Sequence, residues 1–147
     1  MTSFEEQARA ALDAKDDTQR QLAAAATYPQ WRHAIFGVLM GGLVLAPALP
    51  SAGRIAMFAA LLCALPLIIR SDRKRSGMFI NGYRRGKTLY VTFAILAVEM
   101  SLMMVSVYRA TGFGDPRTAF LLAPVAMAVG WVGSLIWQRV FIAEMER

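Results

Sequence analysis

The chain has 147 residues, 56% of them hydrophobic and 18% charged, with a net charge of +6. One cysteine, Cys63, and one histidine, His33, exclude an internal disulfide, a cysteine-based zinc site and any multi-histidine metal site within one chain. A soluble domain carries about a quarter charged residues. Here the apolar residues are gathered into uninterrupted runs, the composition of a chain built for the bilayer.

Residues 1–30 form a polar arm with five acids and three bases. It lacks the basic start and apolar core of a signal peptide. Ser3-Phe4-Glu5-Glu6 reads as a capping box, with the Ser3 hydroxyl accepting from the Glu6 N–H and Glu6 reaching back. Helix formers follow, so a helix is predicted from Ser3 to Thr27, closed by Pro29. Membrane-surface helices are rich in Lys and Arg, and this arm is acidic. It is therefore read as a cytoplasmic helix, either simply solvated or docking a partner.

Four apolar runs follow within a second region, 31–147. The first, 34–49, is short, and Trp31 and His33 extend it into the interface. Gly37 and Gly41 form a GxxxG pair that permits close helix approach. Pro47 removes the bond to the Leu43 carbonyl. The second run, 55–69, is also short, and Pro66 similarly frees the Leu62 carbonyl. Spanning takes roughly 20 residues, so these two runs either cross with help from their flanks or form a re-entrant hairpin.

The basic loop 70–88 holds Arg70, Arg73, Lys74, Arg75, Arg84, Arg85 and Lys87, seven of the sixteen Lys and Arg. Anionic headgroups attract such residues by about 1 kcal/mol each near the surface. Phe79 and Tyr83 alone make no stacking platform for nucleic acid, so lipid or protein partners are expected there instead.

The third run, 89–108, contains Glu99, the eleventh of its twenty residues, about 15 Å along a helix and so close to the midplane. A carboxyl at that depth is functional, paired or protonated. No Lys or Arg falls inside any run, so Glu99 is expected to hold its proton and to donate to a freed backbone carbonyl, with Leu62 before Pro66 as the predicted acceptor. Thr92, Glu99 and Ser106 share a seven-residue spacing and form one polar stripe that should face protein or a water-filled cavity.

The fourth run, 118–138, carries Ala126, Gly130 and Ser134 at four-residue spacing, a small-residue packing face. This face and the Gly37–Gly41 pair serve either packing inside the chain or a dimer. Met100, Met103 and Met104 with Cys63 raise a Cu(I) site, but gap-filling in apolar space is the better account of methionine here.

Thirteen Lys and Arg fall on the side of the arm, the basic loop and the C-terminus, against Arg54, Arg109 and Arg117 on the other. The positive-inside rule then puts both termini and the loop in the cytoplasm. The predicted fold is all-α: an integral membrane four-helix bundle of two helical hairpins with an N-terminal cytoplasmic helix. Arginine over lysine and abundant alanine point to a bacterial inner membrane. No catalytic residue, metal or cofactor is assigned, because one interfacial histidine and one buried acid assemble no known catalytic set. The expected function is that of a non-catalytic accessory, scaffold or regulatory subunit of a larger membrane assembly. The alternatives are a small homo-oligomeric proton-coupled or cation transporter using Glu99, and a membrane tether for a cytoplasmic regulator.

Overall fold

A computed structural model describes residues 2–25, 27–76 and 86–145. The described residues are helical apart from short links, in the order α1 (Thr2–Ala25), α2 (Gln30–Leu45), a 3-10 turn (Ala46–Ala48), α3 (Ser51–Ser76), α4 (Lys87–Val107), a π turn (Tyr108–Gly112) and α5 (Arg117–Met145). Four of these helical stretches are long and apolar enough to cross a membrane: Gln30–Ala48, Ser51–Lys74, Lys87–Gly112 and Arg117–Met145. The arm is helical over Thr2–Ala25, against the expected Ser3–Thr27.

The two runs that looked short in the sequence are continuous helices of 19 and 24 residues. The second gains most of its length by running through residues counted above as loop. Arg70, Arg73 and Lys74 lie exposed in the last turns of α3. Cations there complement the negative end of the helix dipole, and their long stems let the charges reach water. Helix α3 thus extends to Ser76, beyond the boundary expected at residue 70.

The core is a seam of α2, α4 and α5. The contacts between α2 and α5 fix an antiparallel register: His33 meets Ser134, Gly37 meets Met127 and Trp131, and Gly41 meets Ala123. A methyl added at Gly37 would lie 2.5 Å from the Met127 carbonyl oxygen and 3.2 Å from Trp131 Cβ. The two backbones therefore touch, and only glycine allows it. Gly130 in turn sits against Met40 and the Gly37 Cα. The glycine pair of the first span and the small face of the fourth thus pack on each other within one chain. Such close approach gains dispersion contact.

Helix α4 runs parallel to α2 and antiparallel to α5. Ile95 lies over Gly133. Ser106 donates to the Val44 carbonyl at 2.6 Å, where the regular pattern of α2 gives way to the 3-10 turn containing Pro47. A helix end leaves carbonyls without intrahelical partners, and Ser106 supplies one. At the other end, Glu144 of α5 accepts the Lys87 N–H at the start of α4, a favourable place for an acid.

Helix α3 stands outside this seam. It packs on α2 and the 3-10 turn, and none of its apolar window is buried. One strong tie holds its far end: Arg32 of α2 makes a bidentate pair with Asp72, at 2.8 and 3.0 Å to Oδ2 and 3.3 Å to Oδ1. Asp72 is 4% exposed and Arg32 17%, and the Arg32 guanidinium also lies 4.4 Å from the Tyr28 ring centroid. Desolvation of the Tyr28 phenol raises its pKa, against the lowering influence of Arg32.

Candidate functional site

The polar stripe of α4 faces inward, as its spacing implied. Glu99 is 7% exposed, Ser106 is fully buried and Thr92 is half-buried. The helical period explains it: residues 88, 92, 95, 99 and 106 recur at three-, four- and seven-residue steps and share one face. Thr92 Oγ1 donates to the Thr88 carbonyl at 3.0 Å. Ser106 is spent on Val44.

The acceptor predicted for Glu99 is corrected. Helix α3 runs unbroken through Pro66, and Leu62 is 68% exposed on the outer helix. A proline removes a single backbone bond, and the remaining bonds of α3 hold the turn without unwinding it. Neither Glu99 oxygen has a hydrogen-bond partner among the described residues. Its surroundings are set by the register. It lies one turn beyond Ile95, level with the Gly37 and Gly130 contact of α2 and α5.

His33 is the residue that sequence reasoning misplaced. Its place before the first apolar run predicts an interfacial residue, yet it is 1% exposed. Its Nδ1 lies 2.8 Å from Ser134 Oγ, so Ser134 is a polar partner as well as a packing residue. His33 Nε2 has no hydrogen-bond partner among the described residues. Its spacing of four before Gly37 was the available signal, because it puts His33 on the same α2 face as the glycine pair. One turn nearer the arm, Gln138 Oε1 accepts the Tyr28 N–H at 3.0 Å, tying the link after α1 to α5.

The remaining candidates are scattered. Arg70, Arg73 and Lys74 line an open cavity of about 480 Å³ with Pro66 and Ile69. Lys87 is exposed at the start of α4. The side chain of Arg75, and Arg84 and Arg85, lie outside the described residues. Met100 and Met104 are exposed, as is Cys63 on α3, so the sulfur ligands considered for Cu(I) are not gathered with the polar seam. No group of three or more His, Cys, Asp or Glu side chains among the described residues could hold a metal ion.

On the face away from the arm, Asp115 organises the link from α4 to α5. Its carboxylate accepts from Thr118 Oγ1 at 2.8 Å, Arg109 at 3.0 Å and the Arg117 N–H at 3.2 Å. The Thr118 hydrogen bond leads in holding its pKa below the usual aspartate value. This is an N-terminal cap for α5, with Pro116 next in chain to pre-set the first turn.

No family model, curated protein or solved structure matches this chain.

Proposed function

We propose that the protein is a non-catalytic integral membrane subunit that works within a larger assembly, held with both termini in the cytoplasm of a bacterial inner membrane. The observation that carries this reading is α3, a membrane-length helix attached to the seam along one side with none of its apolar window buried. A span so placed gives a neighbouring subunit a helix to pack on. The exposed arm α1, with Phe4 and Leu12 facing outward, and the cations at the end of α3 add contacts for protein and for anionic lipid. The native Cys63, exposed midway along α3, serves as the probe. Thiol-directed crosslinking in native membranes, followed by mass spectrometry, should capture a distinct membrane protein or a second copy through Cys63. Adducts with lipid alone would refute the subunit reading. The orientation has its own test. Single cysteines at Lys74 and Gly114, in a Cys63→Ala background, should label from opposite sides of the membrane.

A second reading has one specific observation in its favour. Glu99 is buried in the seam with neither oxygen partnered, which a purely structural hydrogen bond does not explain and which a proton or cation site does. It predicts proton or cation flux in reconstituted vesicles that Glu99→Gln abolishes.

A further inference from the structure

The buried polar atoms that lack a partner are not spread through the molecule. Among the described residues they are Thr88 Oγ1, Trp137 Nε1, His33 Nε2 and the two Glu99 oxygens. The register places them in order along one seam. Thr88 is the second residue of α4, beside the Lys87 and Glu144 contact at the arm face. Trp137 is one turn before Phe141 on α5 and stacks on it. His33 is level with Ser134. Because Ile95 lies over Gly133, the neighbour of Ser134, His33 and Ile95 share a level. Glu99 is four residues further along α4, roughly 6 Å at 1.5 Å per residue. The Ser106 and Val44 contact gives the same answer: from it, His33 is eleven residues back and Glu99 seven.

Beyond Glu99 the character of the seam reverses. Val44, Ala46, Ala119, Ala123 and Ala126 are buried there, and the one buried polar side chain among the described residues of that half, Ser106, is satisfied by Val44. Buried donors and acceptors are nearly always paired with protein or with water, since leaving one unpaired forfeits its solvation with nothing in return. A row of unpaired ones that begins at the arm face and ends at a carboxyl is the lining expected of a water file.

We propose that the arm half of this seam is a hydrated proton path, connecting the arm face to Glu99 through His33 and closed on the opposite side. A proton held at His33 Nε2 passes through bridging water to a carboxylate oxygen of Glu99. The imidazole and the carboxyl are both left neutral, and the reverse transfer restores them. Ser134 fixes the His33 ring through Nδ1, and with the Gln138 side chain and the Tyr28 backbone also beside the ring, Nε2 exchanges through water at the arm end of the seam. His33 and Glu99 are therefore the two exchanging groups, and Ser134 is a positioning residue.

Among the described residues the charged neighbours are few. On α2 Arg32 adjoins His33 and is neutralised by Asp72 of α3. On α5 no charged residue lies between Arg117 and Arg139, and on α4 none but Glu99 lies between Lys87 and Arg109. Tyr28 is the nearest phenol, at the arm end.

This inference rests on Glu99 being an exchanging group, as in the second reading above, but not on transport. The test uses the full chain in vesicles of uniform orientation, with the carboxyl C=O stretch followed by infrared difference spectroscopy after a pH jump on one side. The band should respond to jumps on the arm side and not on the other, and should vanish in Glu99→Gln. It should appear roughly tenfold or more slowly in His33→Gln, with Ser134→Ala intermediate. His33→Gln retains a group able to bond Ser134, which protects folding. If Glu99→Gln does not fold, Glu99→Asp keeps a carboxyl and should move the band. A band responding to the opposite side, no response over about pH 4 to 10, or an unaltered rate in His33→Gln would each overturn the path. Ion flux is measured in the same vesicles. One-sided exchange without flux leaves the path standing and removes the transporter reading.

Discussion

Replacing Gly37 by alanine tests how the seam is held together. The added methyl would lie 2.5 Å from the Met127 carbonyl oxygen and 3.2 Å from Trp131 Cβ. One obstacle is backbone and the other is the root of a side chain, so neither can rotate away, and α2 and α5 must separate. Overpacking of this kind costs about 1–3 kcal/mol. Alanine is also the better helix former, by up to about 1 kcal/mol over glycine. The net effect is a loss of about 0–2 kcal/mol. Two further glycines calibrate it. At Gly42 the new methyl would meet only Met57 Sδ at 3.3 Å and Leu61 Cδ2 at 3.4 Å, the ends of flexible side chains. At Gly53 the nearest atom is Leu49 Cβ at 3.4 Å, an ordinary contact. Thermal or denaturant unfolding of the three variants in one detergent should therefore rank them, with Gly37→Ala the least stable, Gly42→Ala near the parent and Gly53→Ala at or above it. If Gly37→Ala were as stable as Gly53→Ala, the close α2 and α5 approach would not be what holds the seam.

Other contacts give equally specific expectations. Asp72→Ala leaves the Arg32 guanidinium without its counter-charge. A deeply buried pair would lose about 3–5 kcal/mol on removal of one partner. The remaining exposure of Arg32 and its Tyr28 contact bring this to about 2 kcal/mol, read as easier proteolysis between α3 and α4 together with lower unfolding stability. Ser106→Ala removes one hydrogen bond to Val44 and should cost about 1 kcal/mol, as polar contacts between membrane helices do. Asp115 has a pKa held below its ordinary value in the folded chain. Its contribution is therefore present above the ordinary aspartate range and is lost as the pH falls through the depressed value. Protection factors in the link from α4 to α5, which take out the intrinsic slowing of exchange in acid, should fall on acidification. Asp115→Asn should be less sensitive to that change.

Much of the molecule could be read directly from residue order. Runs of uncharged residues and the position of Pro29 define the arm and the four long helices, because a helix satisfies its backbone groups within its own segment and long runs of helix-forming residues sustain it. The inward face of Thr92, Glu99 and Ser106 follows from their spacing alone, as a helix brings residues seven apart to nearly the same side. The Gly37 and Gly41 pair was legible as a packing element for the same reason. Its partner was not, since a four-residue spacing describes one helix and is silent on what lies across from it.

Tertiary structure decided the pairings. Two hairpins joined by a loop are compatible with many arrangements, and chain order gave no sign that α3 would sit outside while α2, α4 and α5 close on one another. Backbone contact at Gly37 and Gly130 holds α2 on α5, whereas α3 carries small residues at the same four-residue spacing, Ala56, Ala60 and Ala64, and still lies outside, so spacing alone does not set that choice. The same closure buries His33, turns Ser134 from spacer into hydrogen-bond partner, and carries Glu99 away from the Leu62 carbonyl. A proline fixes where a backbone bond is lost along its own helix. Whether any side chain on another helix can reach that point depends on which helices touch, and that is a property of the packed seam.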